Sequence, residues 1–401
     1  MGNGEGLRAQ VLAGIGASAT QISELLNYNN MAFAHGSLRA GPDFPLPDFP
    51  LNDEPFVAIW QDYADEARRE GAFETLRKHL VQLQFPIREG ISESPAYQSA
   101  TRKGIAPEAN ETETLVLRRP ELVQLTLHFT PAGRIPLVIA GDREDFVSLL
   151  RAFTKRSEPS PIPASMGACI VAGFNNWDRI GQLRKTWEQS TPDRSEPAWQ
   201  LELRRIIPQK ELYQDRFILL SDGPYSGVPG EALHLGEQEW RDLSLTIRRE
   251  HECTHYFTRR VFSSMRNNLL DEMIADYMGI VSAAGSYRAG WFLHFLGLER
   301  FPDYRPSGRL SNYRGDPPLS DGAFTILRTI VRMAAGNLES FDRQNARVLR
   351  DPNVQPQLII TLSSFTAEEL ASVQGADLLR ERLFSLTEQH AEAYFTSRSE
   401  R

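Results

Sequence analysis

REHECTHYF, residues 249–257, decides how this chain is read. His251 and His255 stand four residues apart, so on a helix they share a face and aim both imidazoles at one point in space. A tetrahedral zinc ion needs that from two ligands on one rigid element. Glu252 sits one step round from His251, near enough to reach a water at the metal without binding the metal itself. The pattern carries chemistry only on a helix. Leu243, Ile247 and His251 fall on one line, and neither Pro nor Gly occurs from Glu237 to Met265, so the spacing predicts a helix over 238–264.

A catalytic zinc takes a third protein ligand and leaves a fourth position for water. Downstream, NNLLDEMIADYMG (267–279) predicts a second helix, over 267–284, with Leu269, Met273, Ile274 and Tyr277 as its apolar face. Glu272 and Asp276 share another face of that helix. One can ligate a metal while the other reaches behind a histidine, because metal-bound imidazoles donate their second ring N–H to a carboxylate or carbonyl. Asp271 ranks behind Glu272 as third ligand.

H-E-x-x-H followed by a helix bearing E-x-x-x-D resembles the gluzincin metallopeptidases, the thermolysin-like side of the zincins. The resemblance rests on His251, Glu252, His255, Glu272 and Asp276, and spans residues 251–276. It implies His251, His255 and Glu272 as Zn2+ ligands, Glu252 as general base, and Asp276 as the carboxylate orienting a ligand histidine. Metzincins need a Gly and a third His where this chain has Thr258 and Val261, and aspzincins need a Gly-Thr that is absent. By helical phase Cys253 faces away from the metal.

The mechanism so implied is hydrolysis of a peptide or amide bond. Zinc acidifies a water towards a pKa of ~7 and polarises the carbonyl. Glu252 takes the proton and hands it to the leaving amine. A donor must steady the oxyanion, and Tyr313, Tyr304, Tyr287 and His294 all follow the ligand helix; Tyr313, between Arg309 and Arg314, is the first choice. The strand RFILLSD (216–222) is a candidate sheet edge for holding an extended peptide. The competing function is a non-proteolytic binding or regulatory protein with a structural zinc. A structural site has no use for Glu252 and closes its fourth position with Cys or His.

Composition sets outer bounds. The chain has 401 residues, 41% of them apolar, and a formal charge of −8. Without concentrated Lys and Arg, no nucleic-acid-binding surface is expected. The pairs Arg248-Arg249 and Arg259-Arg260 are expected on the wet side of a helix. Two cysteines, Cys169 and Cys253, read as reduced thiols of a cytoplasmic protein, and no run is long enough for a membrane span. The stretch 7–21 reads as the start of an amphipathic helix rather than a signal peptide. ASMGACIVAGFNNWDRIG (164–181) has neither G-x-G-x-x-G spacing nor a Walker lysine, and its polar end reads as a strand end plus helix cap.

An α+β fold is expected: an N-terminal α/β domain over 1–160, serving substrate recognition, and a zincin-like domain over 161–401 with a small mixed sheet and a mainly helical C-terminal part. The boundary is placed at SEPSPIP (157–163). Helices are predicted over 5–30, 56–83, 286–297, 321–336 and 366–396, and one from Asp142 as its cap. A hairpin turns at Pro131-Ala132-Gly133, a polar loop covers 88–114, a proline-rich crossing covers 41–55, and strands lie at 168–174, 199–207 and 216–222.

Overall fold

Glycine and cap residues punctuate the chain more finely than its hydrophobic periods suggest. The computed structural model describes residues 3–28, 47–105, 107, 113–263 and 269–399. The first part of the predicted proline-rich crossing (41–46) and the first two residues of the predicted helix 267–284 lie outside the described residues. The predicted helix 5–30 is two, α1 (Asn3–Gly14) and α2 (Ala19–Tyr28), divided at Gly16 with φ 88°. The predicted helix 56–83 is likewise α3 (Val57–Glu70) and α4 (Ala72–His79), broken at Gly71, also at φ 88°. L-residues rarely adopt that angle, so both sites stop the helical ladder. Inside the predicted polar loop lies α5 (Pro95–Lys103): Ser94 Oγ caps the N–H of Tyr97, Pro95 opens the first turn, and Gly104 closes the helix left-handed.

The hairpin forms as expected, with β1 (Gln124–His128) antiparallel to β2 (Ile135–Ala140). Next comes α6 (Arg143–Thr154), whose first N–H groups are held by Asp142. Then follow β3 (Ala168–Asn175), α7 (Trp177–Ser190) capped by Asn176, α8 (Glu196–Ile206) and β4 (Gln214–Ser221). The predicted strand 199–207 is thus a helix. Ser195 caps it, Pro197 sits in its first turn, and Trp199, Leu203 and Ile206 meet at helical spacing in one apolar cluster. The sheet order is β1-β2-β4-β3, with β2 and β4 parallel and the other pairs antiparallel. β4, the RFILLSD strand, is therefore interior and hydrogen-bonded on both sides. It offers no edge to a peptide, which corrects the strand-addition expectation.

The chain divides into two compact units, Asn52–Gly223, and Met1–Leu51 with Pro224–Arg401. The anticipated boundary at 160/161 falls inside the first of these, because strands from both sides of it hydrogen-bond into the one sheet. α3, α4 and α6 supply much of that unit's core with Trp60, Phe73, Phe146 and Leu150, packed with Phe217 and Leu219 of β4. Each such side chain contributes roughly 1.5–3 kcal/mol by leaving water. Asp215 is buried there with three donors on it: Trp60 Nε1 at 2.8 Å, Asn176 Nδ2 at 2.7 Å and Arg179 Nη1 at 2.5 Å.

The second unit adds to α1 and α2 the long α9 (Glu237–Phe262), α10 (Leu269–Ala284), α11 (Ala289–Leu296), α12 (Asp321–Gln344), α13 (Ala346–Leu349), α14 (Gln355–Ser363), α15 (Ala367–Ala371) and α16 (Gly375–Ser399). The predicted helix 366–396 is split between α15 and α16, and its capping box of Thr366 and Glu369 is formed. α10 approaches α9 at Gly279, where a Cβ would lie 2.6 Å from the carbonyl oxygen of Ile247. Only glycine fits so near a backbone. That approach sets the distance between the two helices carrying the predicted site. No helix among the described residues is long and apolar enough to cross a membrane.

Candidate metal centre

α9 presents His251 and His255 one turn apart, and α10 presents Asp271, Glu272 and Asp276 towards them; all five are buried. His251 Nε2 and His255 Nε2 lie 3.1 Å apart. The Glu272 carboxylate lies 3.5 Å from the first and 3.7 Å from the second. Four ligands at zinc bond lengths of ~2.0–2.1 Å are separated by about 3.3–3.4 Å at tetrahedral angles. The three observed separations, the last two to different oxygens of Glu272, lie near zinc-ligand dimensions, and the donor chemistry, two imidazoles and a carboxylate, fits that ion.

Carboxylates stand behind both imidazoles. Asp276 Oδ1 lies 2.9 Å from His251 Nδ1, and Asp271 Oδ1 lies 3.1 Å from His255 Nδ1. Each carboxylate favours a proton on Nδ1 and so leaves the Nε2 lone pair directed at the shared point. Asp276 in turn accepts from Tyr225 Oη at 2.5 Å and from Arg309 Nη2. Arg309 Nη1 also donates to Tyr225 Oη at 3.2 Å, and its guanidinium lies 5.1 Å from the centre of the Tyr225 ring.

The titrations follow from this packing. Burial alone would raise Asp276, but Arg309 and the His251 hydrogen bond bring it below its usual range. Burial raises Asp271, opposed by His255. For His255, burial works downward, yet Asp271, Glu272 and Glu252 together lift it to about 10. Without metal, a proton on His255 thus supplies positive charge among these carboxylates, and a bound cation would displace it. Glu252 is less buried than the ligand-type residues, and desolvation raises its carboxyl against the pull of His251 and His255.

The chain belongs to DUF7005. This family of unknown function matches residues 10–374, which include every residue of the cluster. No curated protein and no solved structure matches the chain.

In this DUF7005 chain the structure brings together His251, Glu252, His255, Glu272 and Asp276. Tyr313, in the 3-10 turn Arg309–Tyr313, lies within electrostatic reach of Arg309, Glu272 and Asp276, and burial raises its pKa against the pull of Arg309. The other donor candidates have different attachments. The hydroxyl of Tyr304 faces Gly308 O at 3.4 Å, and Tyr287 stacks on Tyr277 in the core. His294 lies on α11, where Arg305 donates to its carbonyl at 2.7 Å.

Sequence reasoning missed Tyr225, Arg309 and the partnership of Asp271 with His255. The Asp271 signal was present in the adjacent D-E pair. Tyr225 lies in the Gly- and Pro-rich loop after β4, held by its N–H on Ser244 Oγ at 3.0 Å and by Arg248 Nη2 on Pro224 O at 3.1 Å. Arg248 is accordingly buried rather than on the wet side of α9, with its guanidinium 5.6 Å from the centre of the Tyr225 ring. Among the described residues, neither Cys169 nor Cys253 forms a disulfide.

Proposed function

We propose that this protein is a zinc-dependent hydrolase of peptide or amide bonds, with a zincin-like catalytic region built on α9 and α10. The observation that supports the reading is the donor set of His251, His255 and Glu272, its imidazole nitrogens 3.1 Å apart and 3.5 and 3.7 Å from Glu272 Oε2 and Oε1 respectively, beside the only partly buried Glu252. When bound, zinc would supply Lewis acidity, acidifying a water and polarising the substrate carbonyl.

The chain's own groups carry the proton. Glu252 accepts it from water as the water oxygen bonds to the carbonyl carbon, and returns it to the amine nitrogen as the C–N bond breaks. Asp276 and Asp271 hold the imidazoles in the tautomer that leaves Nε2 free. Arg309 and Tyr225 keep Asp276 in place and its charge compensated. Tyr313, within electrostatic reach of Glu272 and Arg309, supplies the hydroxyl that turns towards a developing oxyanion.

The deep burial of His251 and His255, at 5% and 4% exposure, favours a second reading in which the zinc is structural. One experiment separates the two. Metal analysis of purified protein is followed by incubation of wild type and Glu252→Gln with a diverse peptide library, read by mass spectrometry. The hydrolase reading expects about one zinc per chain in both, and cleavage by the wild type alone. Zinc-free wild type removes the metal centre altogether. Zinc retained in both with no cleavage by either supports the structural role.

A further inference from the structure

We propose that the cavity between α5, α6 and β3, wholly within the Asn52–Gly223 unit, binds a small molecule. The ligand carries one carboxylate or phosphate, a planar apolar body, and an N–H or O–H donor. This site is separate from the metal centre and does not depend on the reading given to it.

The cavity holds about 220 Å³. That is smaller than the ~300–1,000 Å³ of pockets for drug-sized ligands, and it suits a metabolite-sized one. The charged side chains lining it are Arg102 and Arg156, with no carboxylate among the lining residues. Arg102 has no ion-pair partner among the described residues. Arg156 reaches Ser92 O at 3.3 Å and Glu93 Oε1 at 3.4 Å, with 56% and 75% of the two charged side chains exposed. So exposed an ion pair is weak and yields readily to a ligand anion.

A second observation points to a ligand independently. Gln82 lines the cavity and is 5% exposed. Its Nε2 donates to Asn175 O at 3.2 Å, which fixes the orientation of the amide. Its Oε1 is left buried, without a hydrogen-bond partner among the described residues. Such an acceptor costs roughly 1–3 kcal/mol unless something donates to it, and a ligand N–H or O–H that enters past the side chains covering it would do so.

The apolar body has its own wall. Phe153 and Phe174 line the cavity with ring centres 5.1 Å apart. Next to Phe174 on the same strand, β3 is bulged at Gly173, which also lines the cavity and takes φ 81°, and a Cβ there would meet no atom within 4 Å. The bulge leaves open space along the strand where a flat ring would fit.

The test uses the full chain and four probes in ligand-observed NMR titrations: 4-hydroxybenzoate, 4-hydroxyphenyl phosphate, benzoate and methyl 4-hydroxybenzoate. At least one 4-hydroxy anion is expected to bind in the millimolar range or better, and comparing the two identifies the acid group preferred. The uncharged ester and the Arg102→Ala/Arg156→Ala double variant should each weaken binding by about tenfold or more. Both arginines are exposed, so the double variant should keep its fold, checked by an unchanged melting curve. Gln82→Met should reduce binding of the 4-hydroxy anion to that of benzoate. The proposal is overturned if neither 4-hydroxy anion binds, or if the double arginine variant binds as the wild type does.

Discussion

Gly279→Ala tests whether the close approach of α10 to α9 sets the candidate metal centre. The added methyl would lie 2.6 Å from Ile247 O and 3.0 Å from Ile247 Cγ2, against 3.4 Å at the near edge of ordinary contact, so something must yield by about 0.8 Å. The obstacle is a backbone carbonyl inside α9, and in an α-helix that carbonyl accepts the N–H of His251 four residues on. The strain therefore passes directly to a ligand residue. Overpacking of this kind costs roughly 1–3 kcal/mol, offset by the ~1 kcal/mol that alanine gains over glycine in a helix. Folding stability should fall by about 0–2 kcal/mol. Zinc affinity should fall more clearly, because a shift approaching 1 Å spoils donor separations of 3.1–3.7 Å. The control is Gly336→Ala on α12, where a Cβ meets nothing within 4 Å; it should stabilise by about 0.5–1 kcal/mol and leave zinc binding alone. The assays are urea unfolding of metal-free protein and chelator competition for zinc. If Gly279→Ala matches the Gly336→Ala control in both, the helix contact does not govern the site.

Asp276→Asn should weaken zinc binding by ~10–100-fold, and it should also destabilise the metal-free fold because Arg309, its side chain 13% exposed, loses its nearest carboxylate and keeps only Glu272 at 3.7 Å. Unchanged affinity in chelator competition would remove Asp276 from its orienting role. Asp215→Ala leaves Arg179, 6% exposed, without its carboxylate, and should cost about 3–5 kcal/mol in urea unfolding; a loss below ~1 kcal/mol would show that water compensates the arginine. His79 lies between Asp178 at 2.5 Å and Glu66 at 2.9 Å, stacked on Tyr63, and these bonds raise its pKa, that to Asp178 most, against burial. A raised histidine stabilises fully below its unfolded value of ~6.5 and loses that contribution as pH rises through its folded value. Glu66, lowered to about 2 mainly by Lys78 and then by His79, contributes in the opposite sense and is lost only in acid. The urea midpoint of wild type should therefore decline above about pH 6.5 by more than that of His79→Gln. Parallel profiles would discount the cluster.

Sequence alone determined the parts whose cause is local. An uninterrupted helix through HECTH puts two imidazoles on one face whatever surrounds them, and E-x-x-x-D does the same for two carboxylates. Asp142, Asn176, and Thr366 with Glu369 announced helix starts because a cap is a contact over two or three residues. The strand reading of 199–207 failed because alternating and helical periods both fit WQLELRRII, and the contest is decided by Ser195 with the cluster that Trp199 joins. The proline-rich run at 157–163 looked like a domain boundary, yet β2 and β4 pair across it in one sheet, and no local pattern records a strand's distant partner.

The candidate metal centre divides the same way. Its two helices were legible, but the meeting of their faces depends on Gly279 against Ile247, 32 positions apart in sequence. Tyr225 and Arg309 lie 26 and 58 positions from His251, in segments whose composition reads only as loop. Tertiary structure alone places them on Asp276, because charge compensation of a buried carboxylate depends on proximity in space and not on spacing along the chain.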